Sequence, residues 1–300
     1  MKARKGRYYV GRVVKGGRLT QDSFLSAIKT PAVLSIGKYK WTIVGIVEGN
    51  VDGSPFIFGN LAKYEGTGEV PVIRENVREA HVIDVQDLMI SKSPFIYFKE
   101  FSGIAYLHVW NSIEDRTFKS RFSRIVREKF DDFFVDCAIE PISDIKTFAE
   151  KILGLTAITD IRAKVSPPNP LFGRCWKSLN DYINERNAST IRVREESLAG
   201  SEGLRSRVKD FVKAIIINKI DELDEVPSLT DAAILMATDG YGNGQVIGRN
   251  AAGAEIVVRT LDAQISFLFD KEPSVESLAE HVYNIFKEIV RERKMSHAKH

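Results

Sequence analysis

The stretch WTIVGIVEGNVDGSPFIFGN, residues 41–60, predicts a β-hairpin in the first part of the chain. Two runs rich in β-branched and aromatic residues flank Gly49–Gly53, which supplies the Asn, Asp and Gly that tight hairpin turns require. The runs 94–99 and 103–110 predict a second pair of strands in the same way. The N-terminal half is therefore expected to be built around a sheet.

Helical periodicity marks the segments between and after these strands. Between Thr117 and Phe130 the apolar residues share one stripe, which predicts an amphipathic helix. Residues 63–93 mix Gly, Pro and charged residues and are expected to be irregular. The class is predicted to be α+β, with mixed or antiparallel sheets. The other helices are predicted at 19–29, 142–153, 171–182, 203–222 and 275–294, and the other strands at 8–14, 134–139, 190–194, 232–238, 245–248, 256–260 and 265–269.

A proline-rich junction, Ser166–Pro170, interrupts the chain near its middle. Three prolines in four residues prevent a regular element there. We therefore predict an N-terminal α+β domain over 1–165 and a C-terminal α+β domain over 166–300.

The composition points to an ordinary globular protein, because 44% of the residues are apolar and 28% are charged. Cys137 and Cys175 are the only cysteines, which favours two buried thiols in a reducing, cytoplasmic compartment. No apolar run approaches the ~20 residues of a membrane span. The sequence contains no P-loop, nucleophile elbow or zinc-ligand pattern, so we expect neither a cofactor nor a bound metal.

Positive charge is concentrated in two blocks, although the net charge is only +3. The first twenty-one residues hold seven Lys or Arg and no acid, and residues 116–130 hold six bases and one acid. Such blocks attract polyanions, because neutralised phosphates release condensed counterions. The alternative is a surface that serves only for solvation, but such a surface usually mixes positive and negative charges.

A third basic cluster lies in the predicted helix 203–222, and a Gly-rich segment, Asp239–Gly244, is predicted to be a hairpin turn whose tip could reach a partner. We predict that these regions hold nucleic acid mainly through its phosphates. The candidate nucleic-acid-binding residues are Arg4, Lys5, Arg7, Arg12, Lys15, Arg18, Arg116, Lys119, Arg121, Arg124, Arg127, Lys129, Arg205, Arg207, Lys209, Tyr241 and Arg249.

Two other functions stay open. The acids Asp131, Asp132, Asp136 and Glu140 could hold Mg²⁺ in a nuclease, although no strand there carries a Glu-x-Lys partner. Alternatively, the basic surfaces meet an acidic protein in an interaction or assembly module.

Several short sequence segments resemble the RexA-like phage-exclusion proteins of prophages and bacterial defence systems. The similar segments are Ser93–Phe98 followed by Gly103–Ala105, Thr147–Leu155, the predicted strand Ile161–Val165 and Leu171–Gly173. The basic arm and the proline-rich junction depart from that pattern. The resemblance implies a homodimer of two-domain subunits that binds DNA with little sequence preference, acts in phage exclusion and works with a separate effector protein. It supplies no catalytic residues.

We therefore expect a non-enzymatic, sequence-tolerant DNA-binding protein.

Overall fold

The computed structural model describes residues 4–74, 79–131, 134–167, 170–199, 201–223 and 227–297, with the backbone alone for 69–74, 79–84 and 297. The described strands pair antiparallel throughout, and helices pack on both sheets, so the predicted α+β class is confirmed. The strands are β1 Lys5–Gly17, β2 Leu34–Ile36, β3 Tyr39–Val51, β4 Ser54–Arg74, β5 Glu79–Phe98, β6 Gly103–Leu107, β7 Val135–Pro141, β8 Ala157–Val165, β9 Leu171–Phe172, β10 Ile191–Glu196, β11 Gly242–Arg249, β12 Glu255–Arg259, β13 Ser266–Asp270 and β14 Ser296–His297. The helices are α1 Gln21–Lys29, α2 Asp115–Glu128, α3 Ile145–Leu153, α4 Lys177–Glu185, α5 Val208–Ile216, α6 Leu229–Thr238 and α7 Val275–Glu292.

The first sheet has the order β13-β1-β6-β5-β4-β3-β2, and β7 pairs with the second half of β1. The predicted hairpin of residues 41–60 is confirmed as β3 and β4, with Val51 opposite Ser54. Asp52 and Gly53 turn the chain at φ values of 50° and 87°. Both central residues of a tight hairpin turn need positive φ, which Asp tolerates and Gly adopts freely.

The prediction that residues 63–93 are irregular was wrong. Strands β4 and β5 pair from Phe56↔Phe98 to Arg74↔Glu79, with one register shift between Lys63 and Tyr64, while β3 accompanies β4 only as far as the pair Tyr39↔Glu65. Beyond that pair the hairpin continues as a two-stranded ribbon. Gly and Pro are tolerated there, because a ribbon without a third strand leaves one edge of each strand free of ladder bonds.

Two apolar layers cover the two faces of this sheet. Helices α1 and α2 pack Phe24 and Phe118 against one face, where the Phe118 ring stacks on Tyr106 at 4.1 Å. The other face, which includes Tyr8 and Val10, packs against α7 and joins the core of the second sheet. Alternation along β1 produces both faces, because successive strand residues point to opposite sides.

The second sheet has the order β10-β8-β11-β12, with α6 packed on one face of β8 and β11. The predicted strand 232–238 was wrong, because these residues form most of α6. Every residue of α6 from Thr230 to Thr238 is buried. A short apolar run has the same pattern in a buried strand and in a helix buried on all sides.

The predicted division after residue 165 does not separate the two sheets. Strand β8, which precedes the division, pairs only with β10 and β11, and β13 pairs with β1 in the first sheet. Helix α7 also packs on β3, β4 and β5. Pro168 and Asn169 of the proline-rich junction lie outside the described residues.

Candidate nucleic-acid interface

The basic helix predicted at 117–130 is present as α2, and it buries the predicted apolar stripe. Arg116 and Arg124 are exposed on this helix, and Lys129 is exposed at its C-terminal cap. Lys119 is half-buried and forms an ion pair with Asp115 at 2.7 Å. Helix α2 and its cap therefore present three exposed cations.

Two other basic residues of α2 are partly held by the fold. The Arg121 guanidinium lies 5.5 Å from the centre of the Trp41 ring, and burial together with the Arg124 charge lowers the Arg121 pKa. Arg127 is half-buried and lies close enough to Cys137 for its charge to lower the pKa of that thiol. Substituting either residue would disturb packing as well as charge.

The prediction for Arg12 was wrong, because its side chain lies in the core with 0% exposure. Its Nε donates to the Asp239 carbonyl at 2.7 Å, its Nη1 donates to the Phe101 carbonyl at 2.5 Å, and the guanidinium lies 5.0 Å from the Tyr241 ring centre. Asp239 also forms a buried ion pair with Arg293 of the chain after α7. Arg12 therefore joins β1 to the ends of α6 and α7.

The prediction for Tyr241 was also wrong. Asp239–Gly244 is not a hairpin tip: Gly240, at φ 84°, ends α6, and β11 begins at Gly242. Tyr241 is 2% exposed, and its hydroxyl donates to the Leu171 carbonyl at 3.1 Å. An αL glycine after the last helical turn is the usual way to end a helix, and it turns this tyrosine inward.

Most of the N-terminal block remains on the surface. Arg4, Lys5 and Arg7 are exposed, and Arg7 donates to the Ser266 hydroxyl at 2.9 Å. Arg18 is exposed with its guanidinium 5.4 Å from the Phe134 ring centre. Lys15 instead bonds to the Ser102 hydroxyl at 2.7 Å, and burial lowers its pKa to about 8.

The third basic cluster does not form one patch with these residues. Lys209 donates to the Leu155 carbonyl, and Arg207 forms an ion pair with Asp210 at 3.1 Å. They lie at α5, which packs with α3 and α6 on the covered side of the second sheet. Arg205 is exposed in front of α5, and Arg249 is exposed at the far end of β11.

The uncovered face of the second sheet carries the densest group of cations that the structure brings together. We call it the basic sheet face. Register places its side chains in two rows across the strands, because directly paired residues point the same way. The first row is Arg192, Lys164 and Asn243, and the second row is Arg194, Arg162, Gln245 and Arg259.

Helix α6 shows that this face points to solvent. A Cβ on Gly244 would come within 2.7 Å of Ile234 Cδ1 on α6, so Gly244 and its alternates face the helix. Asn243 and Gln245, one residue before and after, therefore face the opposite way. Arg162, Lys164, Arg192, Arg194 and Arg259 are all exposed.

The two rows differ in how their charge is compensated. Asp160 accepts from Arg162 at 2.7 and 2.9 Å and from Arg194 at 3.1 Å. Burial alone raises the Asp160 pKa, but the hydrogen bonds from Arg162 and Arg194 and the charges of these two residues outweigh it and bring the pKa below its ordinary value. Among the described residues, no carboxylate forms an ion pair with Lys164 or Arg192, which lie directly opposite each other. Like charges in that position destabilise a sheet unless an anion joins them.

A groove of about 480 Å³ borders the basic sheet face at Lys164 and is lined largely by residues of β1 and β7. Its wall includes Arg18, Glu140 and Lys164. Burial raises the pKa of Glu140, while a hydrogen bond from Asn243 and the charges of Lys119 and Lys164 lower it. Glu140 thus feels the charge of one cation of α2 and one cation of the basic sheet face.

The predicted acidic cluster is only partly assembled. Asp136 and Glu140 point to the same side of β7 and line this groove. Asp131 lies past the end of α2, with a φ of 52°. Asp132 lies outside the described residues. In the part of the chain that the structure describes, no three His, Cys, Asp or Glu side chains are arranged to hold a metal.

The predicted buried thiols are confirmed. Cys137 is 4% exposed and Cys175 is 8% exposed, and burial raises the pKa of each to about 12. The basic sheet face was missed. Its signal was the alternation Arg192-x-Arg194 and Arg162-x-Lys164, which places two cations on the same side of a strand.

No protein-family model matches this chain, and a search of curated proteins finds no match either. Across the described helices, none combines the length and apolar character that a membrane crossing requires.

Proposed function

We propose that this protein binds nucleic acid through the phosphate backbone, with little dependence on base sequence. The observation that carries the proposal is the basic sheet face, where the row formed by Lys164 and Arg192 stays cationic on an exposed surface. Lys and Arg contacts to phosphate give affinity and register without reading bases.

Helix α2 extends this surface. It contains 14 residues, which correspond to about 21 Å of helix. The charges of its Lys119 and of Lys164 both act on Glu140, and α2 also exposes Arg116 and Arg124. A polyanion that follows both elements contacts cations that are far apart in the sequence.

A salt-titrated binding measurement tests the proposal. Fluorescence anisotropy with labelled duplex DNA, single-stranded DNA and RNA should give affinities that fall steeply with salt for each ligand that binds. Arg116→Gln with Arg124→Gln removes two exposed charges from α2 without disturbing Arg121 on Trp41, and it should weaken binding to all base sequences alike. Absence of binding to all three ligands at low salt would refute the proposal.

A metal-dependent nuclease is the second candidate, and one observation favours it. The groove brings Asp136 and Glu140 together with Lys164, the lysine that β7 itself does not supply. Carboxylates can hold Mg²⁺, and a lysine can stabilise the developing charge on a phosphate. Plasmid nicking with Mg²⁺ or Mn²⁺ that disappears in Glu140→Gln and persists in the exposed control Glu128→Gln would support this activity.

On the resemblance to RexA-like proteins, we further propose that the protein acts as a cytoplasmic homodimer in anti-phage defence, together with a separate effector. Light scattering after size exclusion measures the oligomeric state. Plating of phage on cells with and without the gene measures protection. A monomer, or unchanged plating, would contradict this part of the proposal while leaving nucleic-acid binding intact.

A further inference from the structure

Among the residues whose side chains the structure describes, Trp110 is the most exposed large hydrophobic residue after Leu198, with 75% of its surface accessible. The chain has three tryptophans, and the other two are buried, with Trp41 at 4% and Trp176 at 0%. Leaving so large an apolar ring in water is costly, because full burial of such a side chain is favourable. An exposed tryptophan of this kind needs a reason.

The ring is held rather than free. His108 packs edge-on against it with ring centres 4.5 Å apart, and Tyr9 packs edge-on against His108 at 5.8 Å. The Asp115 backbone N–H donates to His108 Nδ1 at 3.1 Å, which fixes the imidazole. Backbone hydrogen bonds between Val109 and residue 113 close the loop that carries Trp110. The indole is therefore preorganised for contact.

Two exposed cations lie on the segments that adjoin this ring. The loop leads directly into α2, whose first turn exposes Arg116. The backbone N–H of His108 donates to the backbone carbonyl of Arg7 at 2.9 Å, so Arg7 lies on the neighbouring strand β1. The Arg7 side chain is exposed. Trp110 thus stands at the start of α2, next to the turn that carries Arg116.

We infer that Trp110 is a stacking platform for an unpaired base, so that the nucleic acid bound along α2 is single-stranded at this point. The inference rests on the proposed phosphate binding and names its substrate class. Every base has a π-face that can stack on an aromatic side chain, so such a platform is tolerant of sequence. In a duplex those faces already stack on one another, and exposing one requires unpairing or flipping. Arg7 and Arg116 hold the adjoining phosphates.

The test compares wild type with Trp110→Ala, Trp110→Phe and the matched control Leu198→Ala, which removes an 83% exposed side chain elsewhere. The ligands are oligothymidylate, oligouridylate and a duplex of equal length. Trp110→Ala should lower single-strand affinity about 5- to 150-fold, the range of one stacked base, and leave duplex affinity nearly unchanged. Trp110→Phe should retain most of the affinity, and Leu198→Ala all of it.

Tryptophan emission gives a second readout. Oligothymidylate should quench the wild-type emission and leave that of Trp110→Phe unchanged, because the two remaining indoles are buried. Oligothymidylate and oligouridylate distinguish DNA from RNA as the source of the base. If wild type binds single strands but Trp110→Ala binds them equally well, the stacking platform is refuted and phosphate binding stands. If wild type binds none of the ligands, phosphate binding itself is refuted.

Discussion

Replacing Lys164 and Arg192 by glutamine removes the one cross-strand pair of cations on the basic sheet face that has no ion-pair partner among the described residues. Both side chains are exposed, so the change removes charge with little loss of packing. If phosphates occupy this row, the double variant should lose two backbone contacts. If the row is only a solvated surface, affinity should not change.

The size of the loss follows from counterion release. Each phosphate contact contributes about −0.9 to the slope of log K against log salt for duplex DNA and about −0.7 for a single strand. Two lost contacts therefore make the slope shallower by about 1.8 or 1.4. Relative to 1 M salt, this corresponds at 0.1 M to a roughly 60-fold or 25-fold weaker association constant. Near 1 M the two proteins should bind alike.

The double variant should bind more weakly than wild type, but its free energy of unfolding should not fall. Like charges directly opposite in a sheet are destabilising, with cross-strand pairs contributing about 0.2–1 kcal/mol. The variant should therefore unfold in urea at an equal or slightly higher midpoint than wild type. Weaker binding with undiminished stability would separate a lost contact from a damaged fold.

The assay is fluorescence anisotropy at five salt concentrations, with Lys146→Gln and Lys213→Gln together as the matched control. That control removes the same charge from exposed positions on α3 and α5, on the covered side of the second sheet. Equal slopes of log K against log salt for wild type and the double variant Lys164→Gln with Arg192→Gln would refute phosphate binding by this row. Equal losses in the test and control variants would show that net charge alone matters.

Three other expectations concern the fold. Arg12→Met should lower the free energy of unfolding by about 2–5 kcal/mol in urea, because two buried carbonyls lose their donor; an unchanged midpoint would contradict the core role. Asp160 has a lowered pKa, so its contribution is present above about pH 4 and is lost as the pH falls through its folded pKa. Asp160→Asn should therefore make the free energy of unfolding depend less on pH in the acid range than it does in wild type. The same acid pH dependence in both proteins would disprove this. The Cys137 pKa rises from 9.0 to about 12, so its contribution is full below pH 9 and is lost as the pH rises toward 12. As the pH rises from 9 to 11, the free energy of unfolding should fall less for Cys137→Ala than for wild type. Parallel curves of unfolding free energy against pH would argue against this.

Local patterns predicted the elements that are decided locally. The hairpin at Asp52 and Gly53 follows from turn chemistry, and helix α2 follows from an apolar stripe with a strongly polar opposite side. The closing helix, predicted to residue 294, ends at Glu292. The helix predicted at 203–222 is shorter, because α5 covers only Val208–Ile216. Each of these segments carries its own periodicity and end signals.

Tertiary context decided the elements that the sequence did not predict. Helix α6 is surrounded by core on all sides, so its apolar run shows no helical stripe. The charge blocks were a partial guide to the site: they indicated Arg116 and Arg124 on the surface, but they included the buried Arg12. A block of charge in sequence alternates between the two faces of a strand, so only the register of β1 shows which cations reach solvent.

The same reasoning explains why the basic sheet face is more informative than a count of charges. In its second row Asp160 joins Arg162 to Arg194, so that row is stabilised from within the protein. In its first row no described carboxylate forms an ion pair with Lys164 or Arg192, although the charge of Glu140 acts on Lys164. A phosphate placed between them would accept from both cations, as the Asp160 carboxylate accepts from Arg162 and Arg194 of the second row. The fold thus already contains, one step along β8, the geometry by which an anion bridges two opposed cations on this sheet.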